Sequence, residues 1–414
     1  MERLRIFGGR RLRGEVRLRA AKNAVLPMLA AAMLMRGEVI LSGCSKLADT
    51  QNMLRIVRTL GVLAEWHGDE IHLDARGAHG HEMPEALSRQ LRSSIFMMGP
   101  LLGRFRRAAV TYPGGCEIGL RPIDLHLKSL RALGVRIEEA HGMIYCDGTH
   151  MRGADVMLDF PSVGATENAM MAAVCAPGNT RIHNPAREPE IVDLQEFINV
   201  AGGDVRGAGS NLIEISGKES LGGASYRPIS DRIEAGTLLV GAAMTGGEIT
   251  LVGAKQMHMA CVLEKLRDAG CEIVANDAGI SLSAPKQLQP IALTTAPFPG
   301  FPTDMQAQMT ALACTTSGTS RIVETLFESR YAHVSQLRLM GADIDVYDRV
   351  AIVRGTSLLG AKVCAQDLRG GAALVLAGLV AEGMTEVCQA QYIDRGYEAI
   401  ECTLCELGAD IVRL

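Results

Sequence analysis

Cys116 sits in the run Thr111-Tyr112-Pro113-Gly114-Gly115-Cys116-Glu117-Ile118-Gly119-Leu120-Arg121-Pro122-Ile123-Asp124. Two glycines precede the thiol, and an arginine follows five residues later. Glycine opens backbone conformations closed to other residues and lets the chain approach a ligand closely. The segment reads as an exposed loop carrying a thiol beside a cation and a carboxylate, which is the setting a reactive cysteine needs. The alternative is that one of 11 cysteines falls in a loop by chance, and spacing alone does not separate the two.

Other side chains with chemistry are scattered. Cys402 and Cys405 form a C-x-x-C inside a helical pattern, with no second pair at zinc-ligand spacing, and read as buried small hydrophobes. The 10 histidines form no H-x-x-x-H or similar cluster, so no metal site is expected. An odd cysteine count spread through apolar segments points to a reducing compartment, hence the cytoplasm. No stretch of about 18 apolar residues lacks charges, and the start has no secretory apolar region, so no membrane span is expected.

Composition narrows the class. Hydrophobic content of 48% and charged content of 21% are globular values. Aromatics are only 4%, which argues against nucleic-acid binding through stacking platforms. Net charge is −4, so no global field draws polyanions. The first 22 residues are locally basic, but Arg3 and Arg5 alternate with Leu4 and Ile6, and Arg17 and Arg19 with Val16 and Leu18. That is the period of half-buried strands with a solvated face.

The elements that must position these groups repeat. A helix running into Leu-, Ala- or Met-Gly and then a strand recurs at Gly61, Gly134, Gly202, Gly270, Gly341 and Gly408, at intervals of 73, 68, 68, 71 and 67 residues. Glycine suits each as the left-handed residue that ends a helix. A second marker, an apolar helix entering a glycine turn, recurs near Gly37, Gly178, Gly247, Gly318 and Gly383, with Gly99–Gly103 as a degenerate copy. Two markers at ~70 residues predict six α/β units, dividing into two domains of three. The strand before the first helix lies outside this count, which allows it to complete the other domain.

Several segments then carry a resemblance that spans the chain: Ala21-Lys22-Asn23-Ala24, Pro113-Gly114-Gly115-Cys116, Arg121-Pro122-Ile123-Asp124-Leu125-His126, Ser162-Val163-Gly164-Ala165-Thr166, Ala186-Arg187-Glu188-Pro189-Glu190, Phe301-Pro302-Thr303-Asp304-Met305-Gln306, Asp367-Leu368-Arg369 and Asp394-Arg395-Gly396-Tyr397. With them the chain closely resembles the enolpyruvyl transferase family, on the branch whose acceptor is UDP-N-acetylglucosamine. The resemblance implies two inside-out α/β barrels of three repeats with helices inside. One domain would span residues ~21–229, the other residues 1–20 and ~230–414, with the active site in the cleft between them. It implies transfer of the enolpyruvyl group of phosphoenolpyruvate to the sugar 3-hydroxyl, with phosphate released by addition and then elimination. No metal or organic cofactor, nucleic acid or membrane partner is implied, and the epoxide fosfomycin is the implied inhibitor.

Residue by residue, the resemblance makes Cys116 the general acid, the site of a covalent phosphoenolpyruvate adduct and the fosfomycin target. Asp304 is the general base. Lys22, Asn23, Arg121, Arg330, Arg369 and Arg395 bind phosphoenolpyruvate, with Lys22 and Arg395 acting in catalysis. Asn23, Arg92, Arg121, Pro122, Ile123, Asp124, Leu125, Ser162, Val163, Gly164, Asp304 and Leu326 hold the nucleotide sugar. Local cations suit the task, because arginine forks match phosphate and carboxylate on a chain whose net charge is negative. Departures from the family pattern are Phe160-Pro161 where some members have Lys-Val, Ser329 for an asparagine, and Ala20 for a glycine. The rival readings are a transferase acting on shikimate 3-phosphate, a silent nucleotide-sugar-binding paralogue, and an RNA-end-modifying enzyme on a related fold.

Overall fold

The computed structural model describes residues 2–83, 85–88, 92–112 and 123–414, with the backbone alone at 85, 86 and 92–94. Cys116, Arg121 and Pro122 lie outside the described residues, as does the side chain of Arg92, which opens the short turn Arg92–Met97. The described chain divides into two compact units. One holds residues from 19–112 and 123–229; the other holds residues 2–18 and 230–414.

Each unit is built from three sheets and three buried helices. In the first unit the helices are Lys22–Ala31, Met98–Phe105 and Val163–Ala173; in the second they are Arg232–Thr245, Gln306–Ala313 and Leu368–Val380. These helices are apolar nearly all round, which is the pattern of a helix with no solvent face. Ala30, Leu29, Met170, Leu312 and Val375 have no exposed surface. Glycine lets two of the helices meet. A Cβ on Gly99 would stand 2.5 Å from the Asn168 carbonyl oxygen, so only glycine allows Met98–Phe105 to pack there against Val163–Ala173.

The sheets repeat one pattern: a hairpin whose central strand pairs antiparallel, flanked by a parallel strand. Ala224–Tyr226 runs parallel to Glu38–Leu41, which pairs Glu70–Asp74 and then Leu63–His67. Ala292–Thr294, Thr319–Val323, Val350–Arg354 and Asp343–Tyr347 repeat that order. The degenerate second repeat has three strands, Arg107–Thr111, Met143–Asp147 and Arg136–Ala140, with a single parallel bridge from Glu82 to Ala109. Among the described residues the three sheets of a unit are separate and do not close into one hydrogen-bonded barrel.

The first strand completes the last sheet. Arg3–Phe7 lies between Met384–Cys388 and Asp410–Arg413, antiparallel to both. Leu4 and Ile6 are fully buried while Arg3 and Arg5 face outward, and burial of each aliphatic chain contributes about 1.5–3 kcal/mol. All six glycines of the helix-end marker adopt left-handed φ values between 85° and 97°, which carries the ~70-residue period into backbone geometry. The C-x-x-C expectation fails: Cys402 and Cys405 are exposed on the short helix Ile400–Glu406, because Ile400 and Leu404 take its inner face. No described helix is long and apolar enough to cross a membrane.

Candidate active site

In the second unit a carboxylate is gripped by two arginines. Asp304 lies in the 3-10 turn Thr303–Met305, placed by Pro302, whose carbonyl accepts from Met305 N–H at 3.0 Å. Gly236 leaves room for Met305: a Cβ there would meet its sulfur at 2.8 Å. Arg330 donates to Asp304 Oδ1 at 2.6 Å, and Arg369 donates to Oδ2 at 3.1 Å. Both arginine side chains are 4% exposed, and Asp304 is 29% exposed. Burial opposes the charge of Arg369, yet Tyr397 and Asp304 more than offset it and hold its pKa above the usual value.

The cradle is braced from behind. Asp367 caps the helix Leu368–Val380 by accepting from the Arg369 and Gly370 N–H groups, both at 2.9 Å. Arg369 also donates to the Tyr397 hydroxyl at 3.1 Å, which meets Thr237 at 2.8 Å. Arg395 closes the turn Ala390–Arg395, and Gly396 next to it lies against Leu368 at the start of the same helix. Asp394 receives a two-pronged grip from Arg413, at 2.7 and 3.0 Å. Among the described residues the Nε atoms of Arg330 and Arg369 are buried without a partner. Two buried cations with unused donors beside one carboxylate are equipped for a further anionic group.

Glu324 was not singled out from the sequence, yet it holds this region together. Fully buried, it accepts from the Thr303 hydroxyl at 2.8 Å, the Thr295 hydroxyl at 2.9 Å, Leu326 N–H at 2.8 Å and Phe327 N–H at 3.2 Å. One carboxylate thus ties the Asp304 turn to the segment carrying Leu326 and Arg330. Oε1 takes three of these donors and Oε2 the Thr303 hydroxyl, so both carboxylate oxygens are engaged. His333, also buried, stays neutral because burial pushes its pKa down to about 4. Arg330 works in the same sense and Asp367 against it.

The first unit carries the other residues. Lys22 opens its helix and meets Asp49 at 3.2 Å, with side chains 11% and 3% exposed. Asp49, also missed from sequence, occupies a buried position in the first turn of Ala48–Thr59. Asn23 is half-buried beside Lys22. Ile123 is buried ahead of the helix Asp124–Ala132; Asp124 is exposed and Leu125 half-buried. That helix touches the Ser162–Gly164 segment and the residues just before it. His126 packs where a Gly164 Cβ would stand 2.8 Å from the ring, and Lys128 pairs with Asp159 at 2.5 Å. Ser162 caps the helix Val163–Ala173 through a long bond from Ala165 N–H, 3.4 Å. Asn168 fixes His126 by donating to its Nδ1 at 2.8 Å. Thus Asp304, Arg330 and Arg369 are in direct contact, and Leu326 and Arg395 are anchored to the same elements. Lys22 pairs with Asp49, and Ile123–Leu125 lie on the helix that touches Gly164.

In each unit three packed helices and three sheets of one repeated order make the enolpyruvyl transferase fold. The family profile described as EPSP synthase (3-phosphoshikimate 1-carboxyvinyltransferase) matches residues 6–404. Among solved structures, the chain is similar to the enolpyruvyl transferase NikO from Streptomyces tendae, with TM-score 0.91 and 24% identity over 100% of this chain and 98% of that one. It is also similar to EPSP synthase from Acinetobacter baumannii, with TM-score 0.78 and 19% identity over 100% of both. These two show the fold. The curated relatives are closer. UDP-N-acetylglucosamine 1-carboxyvinyltransferase 2 of Caldanaerobacter subterraneus subsp. tengcongensis is 48% identical over 100% of both chains. UDP-N-acetylglucosamine 1-carboxyvinyltransferase 1 of Symbiobacterium thermophilum is 49% identical over 100% of this chain and 95% of its own. The chain belongs to the UDP-N-acetylglucosamine 1-carboxyvinyltransferases within that family.

Proposed function

We infer that this enzyme transfers the enolpyruvyl group of phosphoenolpyruvate to the 3-hydroxyl of UDP-N-acetylglucosamine and releases phosphate, a step of peptidoglycan precursor synthesis. The full-length likeness to relatives of that name supports the reaction. The observation that carries it to particular residues is Asp304 held between two buried arginines with unused Nε donors.

Phosphoenolpyruvate brings a carboxylate and a phosphate. Arg330, Arg369 and Arg395 receive them, with Lys22, Asn23 and Arg121 from the other part of the sequence. In the free enzyme Asp304 occupies the arginine forks. An arriving anion competes for those forks and releases a carboxylate oxygen toward the sugar hydroxyl. Asp304 then takes the hydroxyl proton as the sugar oxygen bonds to C2 of phosphoenolpyruvate, and Cys116 delivers a proton to C3. Loss of a proton from C3 and departure of phosphate restore the double bond. General acid and base steps of this kind contribute typically ~10²–10⁴-fold each.

The nucleotide sugar is assigned to Arg92, Arg121–Leu125, Ser162–Gly164 and Leu326. The Val163 and Gly164 N–H groups at a helix start favour its diphosphate. Fosfomycin would alkylate Cys116. A reducing, cytoplasmic setting fits the ten described cysteines, all free.

The test is phosphate release from phosphoenolpyruvate with either UDP-N-acetylglucosamine or shikimate 3-phosphate, with and without fosfomycin. Release only with the nucleotide sugar, blocked by the epoxide, is expected. Release with shikimate 3-phosphate alone, or with neither acceptor, overturns the assignment. Cys116→Ala at near-wild-type rate near neutral pH overturns the acid role.

A further inference from the structure

The last strand pair of the unit holding residues 230–414 ends in two thiols. Strand Lys362–Cys364 runs parallel to Met384–Cys388, with Lys362 opposite Glu386, Val363 opposite Val387 and Cys364 opposite Cys388. Register partners on neighbouring strands project to the same face. The two thiols are therefore neighbours on one face of the sheet. One more ladder bond follows, from Ala365 N–H to the Cys388 carbonyl at 3.0 Å, and the chains part. One continues through Asp367 to Arg369. The other passes Gln389, in the left-handed region at φ 60°, into the turn ending at Arg395. The pair is the last rung before two segments that carry cations of the site.

The surroundings suit thiol exchange. Lys362–Cys364 is the edge strand of its sheet, and Cys364 is partly exposed. Glu386 Oε1 accepts from the Cys388 thiol at 3.8 Å and is itself engaged by Arg3 at 3.1 Å and Lys362 at 3.4 Å. Arg3 stands opposite Cys388 on the other flank. Burial, the Cys364 thiol and Glu386 push the Cys388 thiol up, against Lys362. Cys364 is therefore the sulfur that reacts first, and Cys388 the resolving one.

We propose that Cys364 and Cys388 are an oxidisable dithiol, a modification site for low-molecular-weight disulfides whose closure slows turnover. The Cys364 thiolate attacks one sulfur of the small disulfide and expels the first small thiolate. Cys388 gives up its proton and attacks the Cys364 sulfur of the mixed disulfide, expelling the second. Two electrons pass from the protein pair to the small disulfide, which leaves as two thiols after taking up two protons. Neighbouring strands lie about 4.8 Å apart, within the range of bridged Cα atoms but short of their commonest separation of about 5.5–6 Å. Closure toward that separation pushes apart the roots of the Arg369 and Arg395 segments by about 1 Å, a displacement that costs up to ~10²-fold at a reacting centre.

The experiment uses the full chain in mixtures of glutathione and glutathione disulfide, digested with trypsin and mapped without reduction. A link joining the peptides that hold Cys364 and Cys388 is expected at a lower disulfide-to-thiol ratio than any other pairing, Cys402–Cys405 included. Dithiothreitol removes it, and Cys364→Ser never forms it. This arm does not depend on the reaction assigned above; the rate arm does. Because Cys116 is also a thiol, wild type and Cys364→Ser are oxidised alike, and wild type should lose about tenfold or more additional rate, recovered on reduction. Absence of the link, or its appearance only alongside general pairing, overturns the site. A link with no additional loss overturns its hold on turnover. An enzyme with no transferase rate before oxidation indicts the assigned reaction instead.

Discussion

Arg369 and Asp304 stand 65 residues apart in the chain, yet Arg369 donates to the Asp304 carboxylate at 3.1 Å while its other terminal nitrogen holds the Tyr397 hydroxyl. The guanidinium therefore fixes the proposed base and the Arg395-Gly396-Tyr397 segment at once. Arg369→Leu should lower kcat/KM for phosphoenolpyruvate by roughly 10²–10³, since breaking a buried charge pair costs about 2–5 kcal/mol. Arg369→Lys keeps the charge but not the fork and should recover only part of that loss. Steady-state kinetics with both substrates varied would show it; a wild-type kcat/KM in Arg369→Leu removes the residue from the site.

Glu324 makes a second prediction, because it anchors the turn that aims Asp304. Glu324→Gln keeps one oxygen for the three donors on Oε1 and sets an NH2 group where the Thr303 hydroxyl donates to Oε2, so the anchor of the Asp304 turn loses its charged acceptor. We expect kcat to fall by about tenfold or more, with a smaller change in KM. Thr295→Val removes one anchor without touching the Asp304 turn. It should lower the melting temperature with less effect on kcat than Thr303→Val. Equal kcat losses in the two threonine variants would reduce Glu324 to a structural brace.

Lys22 and Asp49 give a third. Their contact is shielded, with Asp49 only 3% exposed, so the pair is less screened than a surface ion pair. Lys22→Gln should abolish most turnover. Asp49→Asn leaves the lysine charged but less constrained, and KM for phosphoenolpyruvate should rise several-fold with kcat less affected. Titration of phosphoenolpyruvate at saturating nucleotide sugar separates the two effects.

A fourth concerns acid. The His333 imidazole titrates near 4 when folded and near 6.5 when unfolded. Between those values the unfolded chain binds the proton and the folded one does not, so stability falls as pH drops through that window. The lost stability is on the order of 3 kcal/mol at most. Thermal melts from pH 6.5 to 4 should decline less steeply in His333→Asn than in the wild type. Parallel curves would mean the histidine does not report on burial.

The repeat was legible because its punctuation is local. A helix that must end in a left-handed residue selects glycine wherever it recurs, and Gly61 through Gly408 mark every copy. The alternation at Leu4 and Ile6 was legible for the same reason. Glu324 and Asp49 were not, because a carboxylate that accepts buried donors looks like any other acidic residue until the fold delivers those donors from segments up to 29 residues away. Cys402 and Cys405 misled in the opposite direction. Their helix is short, and two cysteines on its outer face leave the same pattern as two on its inner face. Motif resemblance named Asp304, Arg330 and Arg369 one by one; that both arginines grip Asp304 was not legible, because no periodicity in the sequence brings them together.

The seating of Arg3–Phe7 between Met384–Cys388 and Asp410–Arg413 has a consequence for biosynthesis. Those five residues are synthesised long before both of their partners. At about 5–20 residues per second, the strand waits roughly 20–80 seconds with two open edges while the chain from 19 to 229 is made and can fold around its own core. An unpaired apolar strand invites pairing with a neighbouring nascent chain, and charges along it discourage that. Arg3 and Arg5, which stay partly exposed once the sheet is complete, are thus placed to guard Leu4 and Ile6 during translation.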